Sequence, residues 1–235
     1  MKTQPGLDRA LTFISCHMQP AGQAQVTPEN DLRRRAITIS RQAGSGAHPV
    51  AERLATLLQA HTANDACPWT VFDRNLVDRV LQEHHLPERV AKFMPEDRTS
   101  GIADTMEELF GLHPPSWLLV RKVAETILRL ADLGNVILIG RGAAVVTASL
   151  SHVFHVRLVS ALENRLQRIQ DMHHLSKDAA LHFIQKEDRG RERYLKKYFK
   201  TDVDDPLLYH LVINTDRIAY DRAARIIADA VLNRA

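Results

Sequence analysis

The sequence predicts an α/β protein: an open, five-stranded parallel sheet covered by helices on both faces. Three observations carry that expectation. Short apolar runs alternate along the chain with longer stretches of helical periodicity, the pattern of strand–helix–strand units. One run, Val136–Ile139, is apolar at every position, as a strand covered on both faces must be. A glycine-rich turn, Gly44-Ser45-Gly46, sits where the first strand would hand over to the first helix.

In chain order, residues 1–35 differ from the rest. They are rich in Gln, Pro and Asn and end in Arg33-Arg34-Arg35, and they read as an N-terminal extension outside the core. Leu7, Leu11, Ile14 and Met18 recur at helical spacing within it. From residue 36 to 235 the alternation is regular. Ala36–Ser40 reads as a short buried strand, Pro49–Ala60 as a helix with Val50, Leu54, Leu57 and Leu58 inward, and Thr70–Phe72 as a second strand. Residues 75–112 read as short helices broken at Pro87, Pro95 and Gly101. Ser116 is placed to cap a long amphipathic helix that Gly134 ends. Val153–Val159 is the fourth strand, and Ser160-Ala-Leu-Glu163 has the spacing of a capping box. Ser176 opens a helix running into a basic segment, Leu211–Asn214 is the last strand, and Asp216 is placed to cap a terminal helix.

Composition narrows the function classes. Lys and Arg exceed Asp and Glu by only 31 to 28, and no aromatic platform accompanies the basic residues, which argues against a nucleic-acid binder. No apolar run reaches the roughly 18–20 residues of a membrane span, and the N-terminus lacks a signal-peptide core. Cys16 and Cys67 stand far apart with no CxxC, so the spacing implies neither a zinc site nor a disulfide framework, and a reducing cytoplasm is the default expectation. The adjacent pairs His84-His85 and His173-His174 would point about 100° apart on a helix, which does not suit a shared metal.

Parallel sheets of this kind bind ligands at the carboxyl ends of their strands. Four segments lie there or are charged enough to matter. The first is Ser40-Arg41-Gln42-Ala43-Gly44-Ser45-Gly46-Ala47-His48-Pro49, a candidate phosphate cradle at a helix N-terminus. Against the pattern G-x-x-x-x-G-K-[ST], Ala47 stands at the lysine and His48 at the hydroxyl, so only the position and the GSG remain. Arg41 and a protonated His48 are the cations at hand to replace that lysine. A tight turn with Pro49 in the helix's first turn explains the same residues without a ligand. The second is Phe72-Asp73-Arg74, suited to a sugar, base or phosphate, or to a plain helix cap. The third is Ile139-Gly140-Arg141-Gly142, where a planar guanidinium leaves a buried strand with glycines beside it to make room for an anion. The fourth is residues 186–200, with seven basic and three acidic residues. There Arg189, Arg193, Lys196 or Lys197, and Lys200 share a helical stripe that suits either a solvated face or a mobile arginine arm.

Taken together, the order of these segments resembles the nucleoside monophosphate kinases, and within them the cytidylate kinase-like family. The stretches that carry the resemblance are ITISRQAGSG, VFDRNLVDRV, VILIGRGA, LENRLQRI, KEDRGRERYLKKYF and the late DP…Y…LVINTDRI. The resemblance implies a three-layer P-loop kinase fold over residues 36–235, with a helical monophosphate-binding insert at 74–113 and an arginine-rich lid at 186–205. It implies ATP and Mg2+ as cofactors and a small nucleotide, CMP or dCMP in type, as acceptor. By the same resemblance Arg41, Gly44, Ser45, Gly46, Ala47 and His48 bind the ATP phosphates. Asp73, Arg74, Arg141, Asp188 and Arg191 bind the acceptor. Arg141, Arg189 and Arg193 act in catalysis, and Asp73 is the metal candidate, since Ile139 occupies the place of the usual strand-end acid. A nucleotide-binding module of the same fold without catalysis is the alternative, favoured by the missing lysine. A kinase for a different small acceptor is a further one.

Overall fold

The computed structural model describes residues 12, 13, 15, 16, 35–62, 67–73 and 118–234. The expectations for 74–113, including Arg74, and for Ser116 lie outside these residues. Five strands form one parallel sheet: β1 (Ala36–Arg41), β2 (Thr70–Phe72), β3 (Val136–Ile139), β4 (Val153–Val159) and β5 (Leu211–Asn214). Their spatial order is β2-β3-β1-β4-β5, so β1 is central between β3 and β4. Ala36 stands beside Val136 and Val153, and the register continues without a slip.

Helices cover both faces. On one lie α1 (Ala47–Ala60) and α6 (Tyr220–Leu232); on the other, α2 (Leu118–Leu133), the one-turn α3 (Ala143–Val146) and the end of α5 (Lys177–Phe199). α4 (Leu162–His173) and α5 form a hairpin packed around Leu166, Ile169, Ala180 and Ile184. Period-2 alternation decides which face each strand residue serves. Ile37, Ile39, Ile137, Ile139, Phe154, Val156 and Leu158 pack under α1 and α6. Ala36, Phe72, Val136, Leu138 and Val153 pack under α2 and α3.

Several helix ends follow the sequence. Gly134 turns the chain after α2 with φ +80°, and the Ser176 hydroxyl accepts from the Ala179 amide to open α5. Others do not. Ala161 rather than Ser160 is the N-cap of α4, and Ala219 rather than Asp216 that of α6. Both side chains are spent elsewhere. The Ser160 hydroxyl donates to Asp216 Oδ1 at 2.7 Å, and the Asp216 carboxylate also takes the Ala161 amide and Arg168. Burial raises the Asp216 pKa, but those donors together with Asn164 outweigh it and hold the carboxyl below its usual range. Asp216 therefore ties the β4–α4 turn to the chain after β5.

Two expectations about the N-terminal segment change. Phe13 is fully buried, edge-to-face against Phe72, so this part of the segment belongs to the core. Cys16 and Cys67 form a disulfide with Cα atoms 5.7 Å apart. A separation of 51 residues hid the pair from a reading of spacing, because tertiary folding alone brings it together. The inference of a reducing compartment rested on unpaired cysteines and loses that support. Among the described residues no helix is long and apolar enough to cross a membrane.

Candidate functional site

The glycine loop between β1 and α1 is gripped from three sides. Gln42 donates its amide to Leu158 O, and its side-chain oxygen takes the Ser160 amide. Arg168 from α4 donates to Gly44 O. Asp188 from α5 accepts the Ala43 amide at 2.8 Å. The glycines are required here by packing. A Cβ on Gly44 would lie 2.9 Å from Arg165 O, and one on Gly46 would lie 2.3 Å from the Tyr220 ring; both residues also have φ above +80° or at it. Ser45 is buried and donates to Gln42 O. Gly46 is the N-cap of α1 with no side-chain cap, and no acid stands in the first turn, which leaves that helix end suited to an anion. Ala47, at the lysine position, is buried and supplies no charge. His48 is exposed, with Nε2 3.8 Å from Asp73 Oδ2 at the end of β2.

Asp188 joins this loop to the basic helix. Its Oδ1 accepts from Ala43 N and Arg191 Nη2, and its Oδ2 from Arg165 Nη1, each within 2.8 Å. Arg165 is buried and needs such a partner. Arg191 also pairs with Glu187 one turn back.

Beyond β1 and β3 lies a cavity of about 280 Å³ between the sheet, α3 and α5. Among the described residues Arg41, Arg141, Lys186 and Arg191 line it together with one carboxylate, Glu187, which pairs with Arg191. Such a lining suits an anion. Arg141 has φ +55° between two glycines that are also left-handed, so the chain reverses sharply at the end of β3. The space beside Gly140 is not left for a ligand, as the sequence suggested. The Arg41 guanidinium fills it, and a Cβ on Gly140 would fall 1.8 Å from Arg41 Nη1. Arg41 thus turns toward Arg141 and α5.

The structure therefore gathers Arg41, Arg141 and Arg191 around one cavity. Arg189 lies on a neighbouring recess with Arg41 and Arg157. Arg193 is exposed and donates to Arg189 O. Gly44, Ser45, Gly46, Ala47 and His48 form the loop and helix end and are not among the residues lining either cavity. Among the described residues no group of three or more His, Cys, Asp or Glu is placed to hold a metal.

Sequence reading missed the polar row on the α5 side of the sheet. There β1 presents Thr38 and Ser40, and β4 presents His155 and Arg157. Thr38 Oγ1 is 2.8 Å from His155 Nδ1. Buried Arg157 donates to Ser40 Oγ at 2.9 Å and pairs with Asp204. Tyr209 Oη lies 3.1 Å from Ser40 Oγ and donates to Val203 O at 2.8 Å. Burial, then the facing His210 and Arg234, lowers the His155 pKa to about 4, so this ring is neutral at pH 7. The signal was available: Thr and Ser alternate with Ile in AITIS, and His and Arg alternate with apolar residues in VFHVRLV.

Comparisons with known proteins agree with this architecture. A crystal structure of an uncharacterized protein from Eubacterium ventriosum superposes with a TM-score of 0.66 at 19% identity, covering 86% of this chain and 99% of that one, which shows the fold. A cytidylate kinase from Methanocaldococcus jannaschii is 32% identical over 107 residues, 44% of this chain and 60% of that protein. A cytidylate kinase from Staphylothermus marinus is 24% identical over 98 residues, 42% and 55% of the two chains. The aligned part thus spans less than two thirds of either relative. The model of the cytidylate kinase-like family matches residues 36–217, from the start of β1 past the end of β5, and on that match the chain belongs to the cytidylate kinase-like family.

Proposed function

We propose that the chain transfers the γ-phosphoryl group of ATP to a nucleoside monophosphate of CMP or dCMP type. The observation that carries this reading is the cavity at the strand ends, where Arg41, Arg141, Lys186 and Arg191 converge in a member of this family. The domain is residues 36–235, with 74–113 as the acceptor-binding insert and 186–205 as the lid.

In the reaction an acceptor phosphate oxygen forms a bond to the γ-phosphorus while the bond from that phosphorus to the bridging oxygen of ADP breaks. No covalent enzyme intermediate is needed, so positioning and charge neutralisation do the work. Arg141, in the turn after β3, and Arg191, from α5, hold the acceptor phosphate. Arg41 lies between them and the glycine loop. The uncapped amides of Gly46, Ala47 and His48 receive the donor phosphates, with Gly44 and Ser45 shaping the loop. Arg189 and Arg193 are the lid cations that would turn onto the transferring group, Arg74 joins the acceptor site from the insert, and Asp188 couples lid to loop. Magnesium, when bound, neutralises the phosphates; Asp73 is the carboxylate that would hold it, in keeping with an ion that uses one or two carboxylates beside phosphates and waters. ATP as donor is the remaining argument for a cytoplasmic location.

The test is ADP release from Mg-ATP against a panel of nucleoside and deoxynucleoside monophosphates. Release that depends on one acceptor is the expected result. Buried Ala47 at the lysine position favours one other reading, nucleotide binding without catalysis. Saturable binding with a flat turnover panel would select it.

A further inference from the structure

The polar row on β1 and β4 has no part in the phosphate chemistry, yet it borders the same cavity. We propose that Thr38, Ser40 and Tyr209 form the specificity-determining wall of the acceptor site. The wall reads a hydrogen-bond donor on the uncharged part of the acceptor, an exocyclic amine of the base or a hydroxyl of the sugar. The proposal rests on the acceptor reading above.

Thr38, Ser40 and Tyr209 line the cavity that holds Arg41, Arg141, Lys186 and Arg191. The cations account for an anionic end of a ligand, and the hydroxyls are left for an uncharged end. On β1 buried Thr38 and half-buried Ser40 stand where the opposite face of the same strand carries Ile37 and Ile39, and both hydroxyls are held by side chains of β4, His155 and Arg157. A local rule broken at a cavity is the mark of a functional site.

Tyr209 has one phenolic proton and two neighbours, Val203 O at 2.8 Å and Ser40 Oγ at 3.1 Å. A carbonyl oxygen can only accept, so the proton goes to Val203. Ser40 Oγ already accepts from Arg157, so its own proton points at Tyr209 Oη. Each oxygen then keeps an unused lone pair. Thr38 bonds His155 Nδ1, and in either imidazole tautomer its oxygen keeps at least one lone pair. The spare capacity shared by all three hydroxyls is therefore acceptor capacity, which recognises donors. Arg157 and His155 stand behind the wall and orient it.

The experiment is calorimetric titration of the full chain with CMP, UMP, dCMP and dUMP. CMP and UMP differ by an exocyclic amine against a carbonyl, with N3 an acceptor in CMP and an N–H donor in UMP; the ribo and deoxyribo forms differ by one hydroxyl. Wild type is expected to prefer the amine- or hydroxyl-bearing member of at least one pair. Tyr209→Phe and Thr38→Val each remove one oxygen at nearly constant shape. At least one of them should cut that preference by about threefold to tenfold, the worth of one hydrogen bond, while the other member keeps its Kd. The pair that responds identifies the donor as amine or hydroxyl. Wild-type binding with no preference, or a preference that both variants leave intact, overturns the wall while leaving the acceptor reading in place. A wild type that binds none of the four overturns the acceptor reading and the wall with it.

Discussion

Beneath α1 and α6, strands β1 and β4 present Ile37, Ile39, Phe154, Val156 and Leu158; on the other side the same strands present Thr38, Ser40, His155 and Arg157. The first set closes a core; of the second, Thr38 and Ser40 open onto a cavity lined by Arg41, Arg141, Lys186 and Arg191, with His155 and Arg157 behind them. Since successive side chains point to opposite faces, one strand serves both purposes with no change of backbone. The difference teaches where stability and recognition are separable in this molecule. The apolar face should answer to packing changes. The polar face should answer to ligand, pH and the identity of single hydrogen-bonding atoms.

The largest effect is expected on the apolar face. Leu54→Ala removes a fully buried side chain and should cost about 2–5 kcal/mol in urea-induced unfolding, while leaving acceptor preference as in wild type. A changed preference would break the separation of the faces. Next comes the Cys16–Cys67 bridge, which anchors the segment carrying Phe13 beside β2. Reducing it should cost about 2–4 kcal/mol, read as a lower Tm with and without a thiol reductant. An unchanged Tm would show that the pair does not constrain the unfolded chain.

The polar face predicts an acid limb. His155 has its pKa lowered from 6.5 to about 4, so between these values the unfolded chain binds a proton that the folded one excludes. Stability from this residue is fully present above pH 6.5 and falls as pH drops toward 4, by up to about 3 kcal/mol. Urea unfolding across that range should show the decline, and His155→Gln should flatten it. An equally steep limb in the variant would assign the effect to other groups.

All five strands and their parallel, doubly covered arrangement were legible in the sequence, because strands of this kind are short apolar runs bounded by turn residues. The clustering of Arg41, Arg141 and Arg191 was legible only as separate motifs, since the side-chain direction of Arg41 depends on Gly140 offering it space. Ser160 and Asp216 showed capping spacing and yet bond each other, because a tertiary partner 56 residues away outcompetes a local amide. The disulfide and the burial of Phe13 depend on long-range contacts that no local spacing encodes. The alternation that makes the polar row was visible in AITIS and VFHVRLV, but its role was not. Thr and Ser on a strand read as ordinary strand residues until the facing His155, Arg157 and Tyr209 are known.

Arg141 offers the most direct test that the acceptor sits on this face. Arg141→Ala keeps a Cβ and hence the same demand on a left-handed backbone, and removes the side chain beyond it, including the guanidinium on the cavity. Calorimetry with the preferred nucleoside monophosphate should show the Kd rising about tenfold to a hundredfold, as expected for a lost hydrogen bond to a charged group. An unchanged Kd in a variant with wild-type Tm would contradict the account.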